Sequence, residues 1–378
     1  MNEKDLIAKY RIEDCTRCKN ECAAACPVFR HYGRHHPQEL AHLFLRGGDG
    51  AARDHRLLWT CVTCRACTEA CPFKVEFADF IRELRVGRSD FRPVYGGLVR
   101  AYQLKQATGP KPGAAKARIS WVDKSLELGS ESGVALFAGC VALFDALGSG
   151  AAPGAFAGMA RAAVRLLNRL GVAPSILEDE RCCGRDLYDT GEREAFEALA
   201  RHNAAEIAKT KAHTVLTVCP ECAYTLKVTY ARELGGQPFE VRHITEYVAE
   251  RIGKLAFDAG EETFAFHDPC YLCRYLGIED APRALLEALS SKKPVELERR
   301  GTSAPCCGAG SLVDHGPHTR TAVDERLVEA HRAGAGTLVT ACPKCTLTYA
   351  EVLGGTSWRR APVDVRDLLT LAAARLSK

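Results

Sequence analysis

The chain has 378 residues, 47% of them hydrophobic and 26% charged, with a formal net charge of +4. This is the balance of a packed globular chain of two or three domains, and it excludes a disordered protein or a nucleic-acid binder that works by bulk charge. The longest apolar runs, such as "VALFAGCVALF", fall short of the ~20 residues that cross a bilayer. Nineteen cysteines set the chain apart. It begins "MNEKDLIAKY", with charges and no apolar export core. The expectation is a reducing, cytoplasmic setting, with any membrane association made through a partner, in which many cysteines serve metal or redox chemistry.

Eight cysteines precede residue 72. "CTRCKNECAAACP" supplies Cys15, Cys18, Cys22 and Cys26, and "CVTCRACTEACP" supplies Cys61, Cys64, Cys67 and Cys71. The second is the C-x2-C-x2-C-x3-C-P run of bacterial [4Fe-4S] proteins, in which three thiolates on a tight turn hold three corners of a cubane and the fourth reaches a second cluster. The spacing therefore assigns Cys15, Cys18, Cys22 and Cys71 to one cubane, and Cys61, Cys64, Cys67 and Cys26 to another. The first run carries one extra residue between Cys18 and Cys22, which loosens its turn. Structural zinc, with two CxxC pairs across a longer loop, fits these compact runs poorly. Arg17, Lys19 and Arg65 lie between ligands, where their charge favours reduced clusters unless they are simply solvated. "QELAHLFLRG" and "EFADFIRELRVG" have helical period, so residues 1–105 are expected to form a mostly α, ferredoxin-like domain. His31, His35, His36 and His42 fall in polar segments and are given no ligand role.

"KQATGPKPGAAKAR" marks a linker over residues 106–130. An internal repeat follows, over 131–255 and 256–378. Cys306 lies 124 residues after Cys182, and Cys342 and Cys345 each lie 123 after Cys219 and Cys222. Cys270 lies 130 after Cys140, a slip that the Gly/Ala-rich "LGSGAAPGAF" of the first copy accounts for. "TVLTVC" and "TLVTAC" read as strands ending at a cysteine, and "EREAFEALARHNAAEIAK" and "TRTAVDERLVEAHRAG" as helices. Each copy is thus an α/β unit with a parallel sheet, its cysteines beyond the carboxyl ends of the strands where such sheets bind ligands.

Each copy carries five cysteines: one, an adjacent pair before glycine, and a CxxC. Adjacent thiolates can bind neighbouring irons or bridge them, and Gly184 and Gly308 let the backbone turn tightly beside the inorganic core. Zinc in the CxxC pairs, a redox dithiol and inert buried thiols are the alternatives; a redox CxxC would explain two thiols of each copy but not the other three.

The repeat resembles the cysteine-rich CCG domain of the heterodisulfide reductase catalytic subunit, and "LLWTCVTCRACTEACPFKVEFADFIRELR" is similar to that enzyme's small iron–sulfur subunit. A dicluster domain followed by two CCG domains resembles the fused, D-type subunit. It is similar also to the iron–sulfur subunits of glycolate oxidase and anaerobic glycerol-3-phosphate dehydrogenase, and to subunits attached to electron-transfer flavoproteins. The resemblance implies a noncubane [4Fe-4S] cluster on Cys140, Cys182, Cys183, Cys219 and Cys222, and a second on Cys270, Cys306, Cys307, Cys342 and Cys345. The two would face each other between the repeats. The chain departs from the family spacing by a slightly long Cys140–Cys182 gap and a slightly short Cys307–Cys342 gap, both loop changes. Cys273 is an extra thiol, read first as a packed small hydrophobe and otherwise as an alternative ligand or a redox-active thiol. His267 and Asp268 could donate a proton beside a reacting sulfur, or simply form an Asp-Pro turn. No catalytic residue is assigned.

No G-x-G-x-x-G follows a strand, so a flavoprotein dehydrogenase, an electron-transfer flavoprotein or another redox subunit is the expected partner, with a membrane cytochrome or quinone module reached through it. The chain is read as an iron–sulfur electron-transfer subunit of an oxidoreductase complex. A disulfide reductase acting directly on a thiol disulfide is the alternative, and a zinc scaffold a remote third. Replacing Cys306 or Cys307 with Ser should damage one cluster and leave the N-terminal pair, read as a partial loss of iron and sulfide and of absorbance near about 400 nm.

Overall fold

The computed structural model describes residues 2–52, 54–88, 93–109, 118–147, 152–312, 315–354 and 362–377. Short β-branched and aromatic runs become the strands of two all-parallel sheets. The first sheet holds β1 (Val134–Phe137), β2 (Ser175–Ile176), β3 (Thr214–Thr217) and β4 (Glu240–His243) in the order β2-β1-β3-β4. The second holds β5 (Phe264–His267), β6 (Thr337–Thr340) and β7 (Asp364–Asp367) in that order. Val295 makes a parallel bridge to Ala265 where β2 would stand, so the two repeats share one topology.

The repeats are interleaved rather than strung in a line. Alternation along β1 and β5 sends Val134, Leu136, Phe264 and Phe266 into one common core, while Ala135 and Phe137 face a core of the first repeat alone and Ala265 one of the second. Helix Ala155–Arg169 of the first repeat packs on Leu368–Ala374 of the second, and Ile244–Ala249 of the first packs reciprocally on Asp280–Glu287 of the second. Each fully buried Phe or Leu in this shared face contributes about 1.5–3 kcal/mol, which neither repeat could gain without the other. The matched tails end alike: His243 caps the helix after β4 by accepting from the Thr245 amide, and Asp367 caps the helix after β7 by accepting from the Thr370 amide.

The N-terminal region is helical, with helices Glu3–Tyr10, Glu21–Ala25, Pro27–Tyr32, Pro37–Ala52, Leu57–Thr60, Ala66–Ala70 and Phe77–Arg85, and no strand among the described residues. Phe44, Leu58, Phe80 and Ile81 form its core. The expected linker behaves differently on its two sides. Helix Leu98–Ala107 runs into it, and Arg118, Trp121 and Leu126 beyond it are buried, the last two in the core that the repeats share. Residues 110–117 of this linker, and 148–151 of the Gly/Ala-rich insertion, lie outside the described residues. No helix among the described residues is long and apolar enough to cross a membrane.

Burial pulls His243 down to about 4, and its ring stays neutral in the fold. A histidine whose folded value lies below its unfolded 6.5 contributes stability above pH 6.5 and loses it as pH falls toward 4, up to about 3 kcal/mol. His243→Asn, which keeps a capping oxygen, should lose less stability than wild type across that window, read as the pH dependence of the urea midpoint.

Candidate metal centres

All nineteen cysteines are free thiols, and all but Cys273 gather in four groups. In the N-terminal domain the short helices Glu21–Ala25 and Ala66–Ala70 pack together, and each carries the last cysteine of its run toward the other run. One cavity is lined by Cys15, Cys18, Cys22 and Cys71, and a second by Cys26, Cys61, Cys64 and Cys67, with Cys67 also bordering the first. Pro27 starts the following helix, where its missing N–H costs nothing. Gln38 Nε2 donates to the Cys15 carbonyl at 2.7 Å and the Cys18 carbonyl at 3.2 Å, which fixes the first turn. Burial pushes Cys15 up to about 12 and Cys22 up to about 11. Thiols held neutral this way lose their protons to a bound cation, so metal loading and proton release are coupled here.

In the repeats all ten cysteines lie past the carboxyl ends of the strands. In the first, the Cys140 and Cys182 sulfurs are 3.5 Å apart, and the Cys183 and Cys219 thiols both lie beside Cys222. In the second, the Cys307 and Cys345 sulfurs are 3.2 Å apart, Cys306 lies beside Cys270 and Cys307, and Cys342 beside Cys345. Gly184 and Gly308 each take a φ in the left-handed region, +81° and +87°, and each amide donates to the sulfur two residues back, Cys182 and Cys306, at 3.3 Å. A Cβ on Gly184 would strike Phe196 at 2.9 Å, and one on Gly308 the Thr319 backbone at 2.9 Å. The glycine is required by the helix packed behind the pair as well as by the turn.

Cys273 stands apart from these groups: its thiol is buried and donates to the Pro269 carbonyl at 3.2 Å. Asp268 is buried and paired with Arg283 at 2.7 Å, which gives it a structural partner. His31, His36 and His42 bond Thr321, Asn20 and the Cys15 carbonyl. His35, Glu39 and His55 come together, but His55 Nδ1 accepts from the Leu57 amide at 3.2 Å, so Nε2 carries the proton and has no lone pair for a metal. Arg17 pairs with Asp14 at 2.8 Å and stays mostly exposed, as does Lys19, whereas Arg65 is held by Glu76 at 2.6 Å over the Tyr275 ring.

Between the groups, two contacts stand out. The Cys64 thiol lies beside that of Cys306, and the Cys219 thiol beside that of Cys342, so the groups adjoin in the order N-terminal second run, second repeat, first repeat. Arg274 secures the first contact, donating to the Cys64 carbonyl at 2.6 Å and the Ala304 carbonyl at 2.6 Å. Lys344, inside the second CxxC, secures the other contact by reaching across to Asp186 at 2.6 Å and to Glu221, the residue at its own position in the first repeat. Burial pulls Lys344 down, but Asp186 and Glu221 outweigh it and hold the ammonium charged; burial pushes Glu221, the surplus carboxylate of the trio, up to about 8.

Asp189 is the junction of all three units. It is 1% exposed at the side chain, and it accepts from Arg82 at 2.6 Å and from Thr63 at 3.2 Å in the N-terminal domain, from Arg185 in its own repeat, and from Ser311 at 3.0 Å in the second repeat. Burial pushes its carboxyl up, but Arg185 and Arg82 overcome this and hold it well below the usual range. Arg82 continues to Tyr271 at 3.1 Å and Tyr275 at 2.7 Å, two rings stacked 4.2 Å apart. None of these residues stood out in the sequence. The exchange of Glu221 for Lys344 at one repeat position was the single readable signal.

Known proteins share this division of the chain. Residues 11–75 match the 4Fe-4S dicluster domain, and 134–227 and 264–349 each match the cysteine-rich CCG domain. The chain is 28% identical to the D-type subunit of the dihydromethanophenazine:CoB–CoM heterodisulfide reductase of Methanosarcina acetivorans, over 100% of this chain and 97% of that one. It is 30% identical to the corresponding subunit of Methanosarcina barkeri, over 84% of this chain and 77% of that one. It is 26% identical to an EtfAB:quinone oxidoreductase of Syntrophomonas wolfei, over 78% of this chain but 43% of that one. Two cysteine-lined cavities in a helical domain and two parallel-sheet repeats define an iron–sulfur electron-transfer protein. The chain belongs to the D-type heterodisulfide reductase family of such proteins.

Asp189→Asn leaves two buried guanidinium groups short of their counter-charge. It should cost about 3–5 kcal/mol and expose the segment between the N-terminal domain and the first repeat to protease, measured by the denaturant midpoint and by limited proteolysis of the iron-loaded protein.

Proposed function

We propose that this chain carries electrons along four iron–sulfur clusters inside a multi-subunit oxidoreductase. Cys15, Cys18, Cys22 and Cys71 would hold one [4Fe-4S] cubane, and Cys61, Cys64, Cys67 and Cys26 the other. The five cysteines of each repeat would hold a noncubane [4Fe-4S] cluster. The donor sets fit: all thiol, buried or half-buried, supported by amide and side-chain N–H groups, with sulfurs converging inside each group. Bound clusters supply one-electron storage. The chain itself would supply their order, and the observation that carries the reading is the pair of close approaches, Cys64 to Cys306 and Cys219 to Cys342. The Cys15 group lies at one end of this order and the first repeat at the other.

A flavoprotein dehydrogenase or electron-transfer flavoprotein would meet the chain as partner, with a quinone or membrane cytochrome module reached through it. The EtfAB-linked relative supports this. The second reading, direct reduction of a thiol disulfide, is favoured by Cys219 and Cys342 meeting across the repeats, which would bring two noncubane clusters to a common junction. The dithionite-reduced, iron-loaded protein separates the two when mixed with a panel of thiol disulfides, quinones and oxidised electron-transfer flavoprotein. Fast reoxidation by the quinone or flavoprotein alone is expected for the relay, and fast reoxidation by a disulfide establishes the second reading. Cys306→Ser should slow transfer from the N-terminal clusters to the first repeat by at least tenfold in rapid-freeze spectra.

A further inference from the structure

The two repeats place their cysteines alike but surround them differently. His267 ends β5 as Phe137 ends β1, each three residues before the first cysteine of its set. Tyr349 lies four residues past Cys345, where Leu226 lies four past Cys222. All four side chains are buried. In the first repeat, Phe137 and Leu226 pack directly in the core with Cys182, Cys183, Cys219 and Cys222. In the second, the His267 imidazole stands with Cys307 and Cys345 so that their ligand atoms lie within 4.8 Å of one another.

The tautomer follows from the surroundings. Nδ1 is 3.2 Å from the Tyr349 hydroxyl, and Nε2 is buried without a hydrogen-bond partner of its own. The group facing the ring is the Cys307 sulfur. A lone pair there would repel a thiolate, whereas an N–H would be attracted, and five cysteines leave the iron no need of a nitrogen ligand. Tyr349 O–H therefore donates to Nδ1, which leaves the otherwise unpartnered Nε2–H as the donor available to a Cys307 thiolate.

The arginines differ in the same sense. Arg118 serves the first set, close to Cys140 and Cys182, and is opposed by Glu180 at 3.4 Å. Arg274 serves the second, beside Cys64, Cys270 and Cys306, and donates to backbone carbonyls, with no carboxylate bonded to it among the described residues. The first set does receive one further side-chain donor, Gln103 Nε2 to Cys182 at 3.4 Å, but that amide is shared with Asp186 at 2.9 Å. Hydrogen bonds to cluster sulfurs and nearby positive charge both stabilise the more electron-rich state and raise the reduction potential.

We infer that the paired clusters are not equivalent: the one held by the second repeat has the more positive reduction potential, set by His267 and Arg274, and is reduced before the one in the first repeat. The inference rests on the cluster assignment proposed above. His267 is a positioning and tuning residue here, donating to a ligand sulfur and taking no proton. The higher-potential cluster is then also the one that the N-terminal domain touches through Cys64, so an electron arriving there rests in the second repeat until a second one follows.

The test is a redox titration of the iron-loaded protein followed by electron paramagnetic resonance. Cys307→Ser should remove the signal that appears at the more positive potential, and Cys182→Ser the one at the more negative. His267→Phe, which installs the residue of the first repeat, should move the more positive signal to lower potential with iron content and the other signals unchanged. His267→Gln, which keeps an N–H near the Nε2 position, should restore most of the shift. Two noncubane signals titrating together, the reverse assignment in the serine variants, or no shift in an iron-replete His267→Phe would each overturn the inference while leaving the ligand sets standing. If neither serine variant loses iron, the ligand assignment falls and the inference falls with it.

Discussion

A single buried carboxylate decides how the three parts of this molecule meet. Asp189 gathers Arg82 and Thr63 from the N-terminal domain, Arg185 from the first repeat and Ser311 from the second. Burying an ion costs several kcal/mol unless its partners are close and complete, so this junction tolerates few other arrangements. With Asp189 satisfied, Thr63 is held at the second repeat, and Cys64, the next residue, comes to Cys306. Gly310 makes the approach possible, because a Cβ there would lie 1.9 Å from the Val62 carbonyl. The order of the cysteine groups is thus a consequence of electrostatic closure at one point.

The interleaved repeats make a second constraint. Because they share a core, their sheets cannot separate without exposing Phe264, Phe266, Leu136 and their neighbours. This rigid pairing carries Lys344 of one repeat to Asp186 and Glu221 of the other. A duplicated unit that had kept Glu at both positions would bury like charges there. The Glu–Lys exchange turns the axis into an attraction, and it also makes the halves chemically distinct. The same divergence, at Phe137 against His267 and at Leu226 against Tyr349, leaves the scaffold symmetrical and the two environments unlike.

Much of this was legible in the residues. Cysteine spacing carries the ligand chemistry because thiolate geometry around a cluster is local, and a proline or glycine beside a cysteine marks the turn that it needs. The repeat, its strands and its helices followed from period and offset, since hydrophobic alternation is also local. The linker was less well read. Its Gly, Pro and Lys describe the central stretch, but Trp121 and Leu126 beyond it are core residues, and their burial depends on surfaces supplied from both repeats. His31, His36 and His42, which were given no ligand role, and Cys273, read first as a packing residue, each have a hydrogen-bond partner of their own.

Short stretches of chain are enough to specify the kind of chemistry, the number of cysteine groups and the α/β topology of the repeats, because each rests on residues close together in sequence. Which group adjoins which, which charges are buried with them and which repeat has His267 and Arg274 beside its cysteines emerge only on folding. Those depend on pairings such as Arg82 with Asp189, Cys64 with Cys306 and Lys344 with Glu221, whose partners lie from about one hundred to more than two hundred residues apart. No local pattern encodes such contacts; they arise from burying shared apolar faces and neutralising the charges that become trapped between them.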